Sequence, residues 1–130
     1  MNFNFHQKAI ILNSDGKFLA LKATYKGLLW DIPGGKVELP EETEIALRRE
    51  IKEETNFEVS NIKPLLVNSA YNKEEDFYVM VIIYLCTAIG DKPILSSEHS
   101  EYRWITKQEF LSLDAISYLK EYIGKIDIPI

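Results

Sequence analysis

The chain has 130 residues, of which 46% are hydrophobic and 27% charged, which excludes a disordered protein and predicts one folded domain with a core. Its net charge of -5 argues against a general binder of nucleic-acid polymers, since such proteins need a basic surface. No apolar stretch reaches the about 20 residues that cross a bilayer, and residues 1–8 lack the pattern of a secretion signal, so we expect a cytoplasmic protein without membrane contact.

The first third of the chain predicts a β-hairpin and then a loop. Residues 8–12 and 18–21 are short apolar runs, and the turn-forming cluster Asn13-Ser14-Asp15-Gly16 separates them. After residues 30–32 the chain reads Pro33-Gly34-Gly35. Proline and paired glycines interrupt regular structure, so we predict that a loop begins there.

A helix is predicted from Pro40 to about Thr55. Proline fits the first turn of a helix, where its missing N–H costs little, and the glutamates at 41, 42 and 44 suit the positive end of the helix dipole. Asn56 stands where a left-handed cap residue is needed, and Phe57 can pack back on the last turn.

The remaining chain predicts strands at 62–70, 77–88 and 102–105, a charged turn at 73–76, and a helical C-terminus. The single cysteine, Cys86, lies among apolar residues and is predicted to be part of the core, which fits a reducing compartment. Strands interleaved with one or two helices, without a linker, predict an α/β layer structure with a mixed sheet.

The most informative feature is a cluster of carboxylates on the predicted helix. Glu50 lies one turn before both Glu53 and Glu54, so the three share one face. Such repulsion destabilises a helix by roughly 0.2–0.5 kcal/mol per pair, and something should offset it. One interpretation is a solvated acidic face in which Arg49 pairs with Glu53.

The position of the cluster favours a metal site instead. Leu47 and Ile51 project beside Glu54, so the acidic stripe borders the buried face of the helix. Mg²⁺ prefers carboxylate oxygens and bridges to substrate phosphates, which makes it the expected ion, with Mn²⁺ as an alternative. The Gly34-Gly35 segment could bring a backbone carbonyl to the same ion, although two glycines alone usually mark only a turn.

The glycine and the carboxylates belong to a longer set of residues at defined spacings: Gly35, Glu41, Arg49-Glu50-Ile51, Glu53-Glu54 and Phe57. It resembles the Nudix box over residues 35–57, and the single departure is Asn56, where the family pattern has glycine. Residues 30–35 and 98–104 are also similar to this family. The resemblance to MutT-like Nudix hydrolases implies one Nudix domain over residues 1–130, with the Nudix fold, an α/β/α sandwich with a mixed β-sheet.

The resemblance also implies an activity. Members hydrolyse the phosphoanhydride bond of a nucleoside diphosphate linked to another moiety, by in-line attack of a metal-activated water. We expect a small nucleotide as partner, and a nucleoside triphosphate or a sugar nucleotide is favoured. The sequence leaves open the exact substrate, the number of metal ions and whether the protein is a monomer or a homodimer.

By similarity to the family, several box residues receive roles. The implied metal ligands are the Gly35 carbonyl, Glu50, Glu53 and Glu54. Arg49 would orient the carboxylates and Glu41 would support the geometry of the loop and helix. The general base is ranked as Glu50 first, Glu98 second and Glu101 third.

Residues outside the box suggest substrate contacts. Aromatic rings can stack on a nucleobase with roughly 1–3 kcal/mol per base, and the candidates are Tyr25, Tyr71 and Tyr78. Arg103 could touch a phosphate. His99 could do the same, although a lone exposed histidine is more often incidental. Trp30 and Trp104 are predicted to belong to the core or its edge.

Three rival functions remain. A catalytically silent Nudix-like domain would bind a nucleotide or a protein, but the intact acidic run argues against it. A diphosphate isomerase of the same superfamily would need a further acid–base pair, often with cysteine, and Cys86 lies in the middle of a predicted strand. A transcriptional sensor would need an attached DNA-binding unit and a basic face.

Overall fold

A computed structural model describes residues 2–90 and 92–128, without the side chain of Lys26. Their strands and helices are β1 (Asn2–Leu12), β2 (Phe18–Ala23), β3 (Trp30–Asp31), β4 (Gly34–Lys36), α1 (Thr43–Thr55), β5 (Glu58–Asn72), β6 (Phe77–Ile89), β7 (His99–Ile105), α2 (Lys107–Ser112) and α3 (Ser117–Gly124). A short 3-10 turn, Lys26–Leu28, connects β2 to β3.

The strands form one mixed sheet in the order β3-β2-β1-β6-β5. β1 and β6 are parallel and the other pairs are antiparallel, with β7 beside β2. β1 has two neighbours on one side, since it pairs with β2 at Leu12 and Phe18 and with β4 at residues 6–8. The sheet therefore opens between β1 and β2, and the active-site candidate described below lies at this opening.

Helices cover both faces of the sheet because side chains alternate along each strand. Ile10 of β1 packs with α2 and α3, and this first cluster comprises Ile10, Phe18, Ala20, Trp30, Ile32, Val81, Ile83, Leu85, Ile105, Phe110, Ala115, Leu119, Ile123 and Ile126. The second cluster packs against α1 and comprises Ala9, Ile11, Leu19, Leu21, Leu47, Ile51, Phe57, Val59 and Cys86. The predicted α/β/α sandwich with a mixed sheet is confirmed.

Helix α1 ends as predicted but begins later. Pro40 lies in a turn, in which the N–H of Glu41 donates to the Glu38 carbonyl at 2.8 Å. Glu42 is still extended, with φ -71° and ψ 149°, so the helix begins at Thr43. Asn56 caps the other end in the left-handed conformation (φ 62°), and its N–H donates to the Lys52 carbonyl at 2.9 Å.

Gly34 and Gly35 are part of strand β4, and the prediction of a loop was wrong at this point. Gly34 lies so close to β1 that a Cβ atom on it would stand 2.1 Å from the Gln7 carbonyl oxygen, and its φ of +135° disfavours other residues. Gly34 therefore serves a close contact between two strands. A sequence pattern cannot separate such a contact from a flexible loop.

Several other predictions are confirmed. The hairpin of β1 and β2, the turn at 73–76, buried Cys86 and a core position for Trp30 are all present. β5 and β7 are longer than predicted because backbone pairing continues through polar residues at their ends. Within the described residues, no helix is long and apolar enough to cross a membrane.

Candidate active site

A cavity of about 580 Å³ lies beside β1, where this strand changes its neighbour from β2 to β4. The lining divides by the face of the sheet from which it comes, since Glu50 and Glu54 belong to α1 on one face, whereas Val79, Val81, Tyr118 and Tyr122 pack with the cluster on the other face. We call the part with Glu50, Glu54 and Glu98 the acidic end and the part with Ala70, Val79, Val81, Tyr118 and Tyr122 the tyrosine end; Asp31 also lines the cavity. His6, Lys8, Tyr25, Gly34, Gly35 and Lys36 complete the described lining. A smaller cavity of about 290 Å³ adjoins the acidic end and is lined by Glu38, Arg49, Glu50, Glu53, Glu54, Ser96, Ser97 and Glu98.

Helix α1 directs two carboxylates inward and one outward. The side chains of Glu50 and Glu54 are 18% and 7% exposed, whereas Glu53 is 59% exposed. The Gly34 N–H donates to Glu54 Oε2 at 3.3 Å. Burial raises the pKa of Glu54 to about 9; the positive charge of Lys8 opposes this rise and the negative charge of Glu50 adds to it.

Arg49 connects the carboxylates of this region. Its guanidinium donates two parallel hydrogen bonds to Glu41, of 2.6 and 2.9 Å, and its Nη1 lies 3.1 Å from Glu50 Oε1 and 3.3 Å from Glu53 Oε2. The hydrogen bond from Arg49 lowers the pKa of Glu41. Glu41 thus holds Arg49 in place, and Arg49 in turn contacts the two glutamates one and four residues further on.

Gly35 allows Glu50 to lie against the backbone of β4. A Cβ atom on Gly35 would stand 2.8 Å from Glu50 Oε2 and 3.0 Å from Oε1. A residue with any side chain would therefore push this carboxylate out of its present position. The glycine and the glutamate fix each other's place although fourteen residues separate them in the sequence.

These residues and their order along the chain match a known family. The family model of the NUDIX domain matches residues 6–123. The chain belongs to the Nudix family. As a Nudix hydrolase it acts on pyrophosphate bonds, and this class of hydrolase generally needs a divalent metal.

Individual relatives agree with this assignment. Nucleoside triphosphatase NudI of Salmonella arizonae is 30% identical, with 80% of this chain and 83% of the relative covered. A MutT-like protein of Streptomyces ambofaciens is 27% identical over 91% of this chain and 73% of its own length. The structure of a MutT protein from Methanosarcina mazei Go1 superimposes with a TM-score of 0.75 at 25% identity, covering 95% of this chain and 92% of the other. The Nudix fold is thereby confirmed.

The side chains at the acidic end suit a hard divalent cation in their chemistry. Glu50 and Glu54 offer carboxylate oxygens to the same cavity, and Glu53 lines the smaller cavity beside it. Glu54 is buried next to the like charge of Glu50, which costs free energy that a cation would offset. In the described part of the chain, no group of three or more His, Cys, Asp or Glu side chains is arranged so that it could hold a metal ion by itself.

Sequence reasoning missed a buried ion pair in the cavity. Lys8 Nζ lies 3.0 Å from Asp31 Oδ1 and 3.1 Å from Oδ2, and the Ile32 N–H donates to Oδ1 at 2.7 Å. Burial alone would lower the pKa of Lys8, but the charges of Asp31, Tyr118 and Glu54, together with the hydrogen bond to Asp31, outweigh burial and raise that pKa. The sequence did contain an indication of this pair, since Lys8 stands directly before the apolar residues 9–12 and Asp31 stands between Trp30 and Ile32.

The predicted substrate-binding residues divide into two groups. Tyr25 lines the cavity, as does Glu98, the second candidate for the base. Tyr71 instead donates a hydrogen bond to Asp76 at 2.7 Å, and Tyr78 stacks on Phe3 with ring centroids 5.6 Å apart. Neither of these tyrosines is among the described residues that line the cavity, because both lie near the distant turn between β5 and β6.

Two further candidates also lie outside the described cavity lining. Arg103 covers the ring of Trp30 at 4.8 Å, and Glu101 accepts a hydrogen bond from Arg103 at 3.5 Å. Both side chains are about half exposed on β7. The structure therefore does not bring them to the acidic end, whereas it does bring Glu98 there.

His99 is buried, and the expectation of an exposed histidine was wrong. Its Nε2 lies 3.8 Å from Glu54 Oε1, and burial lowers its pKa, which favours the neutral ring. Among the described residues its Nδ1 has no hydrogen-bond partner. Strand β7 begins at His99, and the inward-facing position of this first residue explains the burial.

Proposed function

We propose that this protein is a Mg²⁺-dependent pyrophosphohydrolase that cleaves a phosphoanhydride bond of a nucleoside triphosphate. The observation that carries the proposal is the polarity of the cavity, which has carboxylates at one end and tyrosine and valine side chains at the other. Such a cavity suits a ligand with a charged phosphate end and a flat, apolar base. The NudI relatives are named nucleoside triphosphatases, which favours a triphosphate over a sugar nucleotide.

Glu53, Glu54 and the Gly35 carbonyl would hold the cation, with Glu50 as a further ligand or as the base. A bound divalent ion supplies charge neutralisation for the substrate phosphates and makes a water more acidic. Mg²⁺ is our preferred ion, with Mn²⁺ as the alternative, because every donor in this set is oxygen. Arg49 would keep Glu50 and Glu53 in position, and Glu41 would keep Arg49 in position.

The reaction requires a carboxylate that removes a proton from water. The water oxygen bonds to a phosphorus while the bond from that phosphorus to the bridging oxygen breaks, and the leaving phosphate or diphosphate keeps the electron pair. The freed proton passes to the carboxylate. Glu50 remains our first candidate and Glu98 our second, and both side chains line both cavities.

The substrate base would lie at the tyrosine end of the cavity. Tyr118 and Tyr122 of α3 form an edge-on pair with centroids 5.7 Å apart, and Val79 and Val81 of β6 line the same cavity. Tyr25 also lines the cavity, but near Glu98 and Asp31 rather than beside these two tyrosines. Base stacking on such rings contributes roughly 1–3 kcal/mol and tolerates many bases, so this end would bind nucleosides without strict selection.

The proposal includes a small-molecule partner and a cytoplasmic location. The buried thiol of Cys86, whose pKa burial raises to about 12, suits a reducing compartment because it needs no disulfide. A monomer and a homodimer are both compatible with the cavity, since one chain supplies all of its described lining.

The test is turnover of a panel of nucleoside triphosphates, sugar nucleotides and dinucleotides, with Mg²⁺, with Mn²⁺ and with chelator. The native chain is compared with Glu53→Gln and Glu54→Gln. Glu44→Gln is the matched control, since Glu44 is 67% exposed, lies on the same helix and pairs with Arg48. We expect metal-dependent triphosphate hydrolysis that both site variants reduce at least about 100-fold and the control leaves unchanged.

Other outcomes decide against the proposal. Hydrolysis of sugar nucleotides alone would correct the substrate class. No turnover with any compound, together with tight nucleotide binding, would identify a silent binding domain. Equal losses in Glu44→Gln and Glu54→Gln would show that the helix tolerates no loss of charge, and the metal assignment would then lose its support.

A further inference from the structure

The Lys8–Asp31 pair lies in the wall of the cavity rather than in a sealed core. The two side chains are 8% and 6% exposed, and both line the cavity described above. Lys8 belongs to β1 and shares a face of this strand with Ile10 of the core on one side and with His6, which also lines the cavity, on the other. The cavity is therefore the direction in which the ammonium group meets a ligand.

The pair is difficult to explain by stability. Taking two charges out of water costs so much that a buried ion pair is often no better than two apolar side chains of the same size. Residues 9–12 of β1 are all apolar, and Lys8 directly precedes that run at a buried position of the strand. A charge kept at such a position indicates a role in binding.

The hydrogen-bonding capacity of Lys8 is incompletely used. An ammonium group has three N–H donors. Lys8 reaches the two oxygens of Asp31 at 3.0 and 3.1 Å, and its third acceptor, the Ile32 carbonyl, lies at 3.5 Å, the outer limit for a hydrogen bond. Asp31 is fixed in turn by the Ile32 N–H at 2.7 Å. The third hydrogen bond is thus long and weak, and a ligand oxygen in the cavity can compete for that donor.

Lys8 also lies between the two ends of the cavity. Its charge interacts with Glu54 at the acidic end and with Tyr118 at the tyrosine end. A nucleotide that spans the cavity would place the phosphate next to its sugar between these ends. That phosphate is the substrate group with oxygens to accept a charged hydrogen bond.

We propose that Lys8 binds the phosphate attached to the nucleoside, and that Asp31 is a positioning residue that aims the Lys8 ammonium group at it. The inference rests on the proposed function for the orientation of the substrate. It adds a phosphate contact from β1 that the acidic helix does not supply.

The test compares nucleosides with their 5′-monophosphates, which have no anhydride bond and are not turned over. Dissociation constants of adenosine, AMP, uridine and UMP are measured by calorimetry or NMR titration in Mg²⁺. The quantity of interest is the ratio of the nucleoside constant to that of its monophosphate. The proteins are native, Lys8→Met, Asp31→Asn and the double variant, which keeps the shape of both side chains without their charges.

We expect the ratio to fall about tenfold in Lys8→Met and in the double variant, the size of one charged hydrogen bond. Asp31→Asn should keep or raise it, because the asparagine oxygen can still accept a hydrogen bond that positions Lys8, while the ammonium group loses a competing anion. Lys63→Met on β5 is the control for net charge, since Lys63 is exposed and outside the described cavity lining. Should Lys8→Met not fold, the double variant alone carries the test.

The proposal is overturned by a native ratio near one, by an unchanged ratio in the double variant, or by equal losses in Lys8→Met and Asp31→Asn. Its failure is separable from that of the proposed function. If the ratio falls in Lys8→Met and in the double variant but the native protein hydrolyses no triphosphate, the Lys8 site is retained and the proposed reaction is lost. If the native protein hydrolyses triphosphates but both variants keep the native ratio, the reaction is retained and the Lys8 site is lost.

Discussion

Replacement of Gly35 by alanine separates the chemistry of the site from the stability of the fold. The new Cβ atom would stand 2.8 Å from Glu50 Oε2, and ordinary van der Waals contact begins at 3.4 Å, so the carboxylate must retreat by about 0.6 Å. The backbone of Gly35 is not in the left-handed region, so alanine itself is tolerated. The carboxylate is the far end of a flexible side chain and can move at little cost.

We therefore expect a loss of rate with little loss of stability. Misplacement of a reacting group by about 1 Å can cost roughly 100-fold, so a shift of this size should lower kcat by about 10-fold to 100-fold. The assay is steady-state release of pyrophosphate or phosphate from the preferred triphosphate, with Tm measured by circular dichroism. Tm should change by no more than about 3 °C, which corresponds to less than about 1 kcal/mol.

Two other glycines provide the controls. In Gly124→Ala the Cβ atom would meet Leu111 at 4.0 Å, an ordinary contact, so both kcat and Tm should stay unchanged. In Gly34→Ala it would stand 2.1 Å from the Gln7 carbonyl oxygen of β1, so the fold itself should lose stability. If Gly35→Ala kept kcat within twofold of native, Glu50 would not be at the reacting position, and the order of the candidate bases would reverse in favour of Glu98.

Three further predictions concern charge, geometry and capping. In chelator, the free energy of unfolding should fall as pH rises from 4.5 to about 9, because folded Glu54 keeps a proton that the unfolded chain releases. Urea titrations at a series of pH values should show a weaker dependence of this free energy on pH in Glu54→Gln. Arg49→Lys cannot form the two parallel hydrogen bonds to Glu41, so kcat should fall about tenfold while KM stays constant, and a change in KM alone would contradict this positioning role. Thr106→Ala removes the capping box of α2 and should cost about 1 kcal/mol in urea unfolding without altering kcat.

The residues that sequence reasoning placed well are those whose role depends on local spacing. The helix periodicity put Glu50, Glu53 and Glu54 on one inner face of α1, which is right for Glu50 and Glu54, whereas Glu53 lies at the edge of that face and is 59% exposed. The same local reasoning put a left-handed cap at Asn56. The start of the helix was placed three residues early because Pro40 fits both a first helical turn and the turn that precedes it. The difference depends on how the Glu38–Glu41 turn packs, which the local pattern does not contain.

The parts that remained hidden depend on contacts between distant segments. Lys8 and Asp31 are separated by 23 residues and meet because β1 and β3 lie on either side of the opening in the sheet. Tyr118 and Tyr122 reach the cavity from the last helix, where helical tyrosines are otherwise typical of simple packing. In the sequence, Tyr71 and Tyr78 were as good candidates for base stacking as Tyr25. They lie far from the site because β5 and β6 form a long hairpin and both tyrosines are near its turn.

The opening between β1 and β2 explains why these distant parts meet at one place. A continuous sheet would separate α1 from the face on which Lys8 and the tyrosines lie. β4 replaces β2 beside β1, and its glycines allow two close contacts: Gly34 with Gln7 and Gly35 with Glu50. Carboxylates of α1 therefore reach the cavity through the sheet layer. The chain thus places the buried carboxyl group of Glu54 and the buried ammonium group of Lys8 in the wall of one cavity, with room for a ligand between the helices. In the absence of a cation this arrangement is unfavourable for Glu54, and that cost is the physical reason to expect that metal binding and folding stability are linked in this protein.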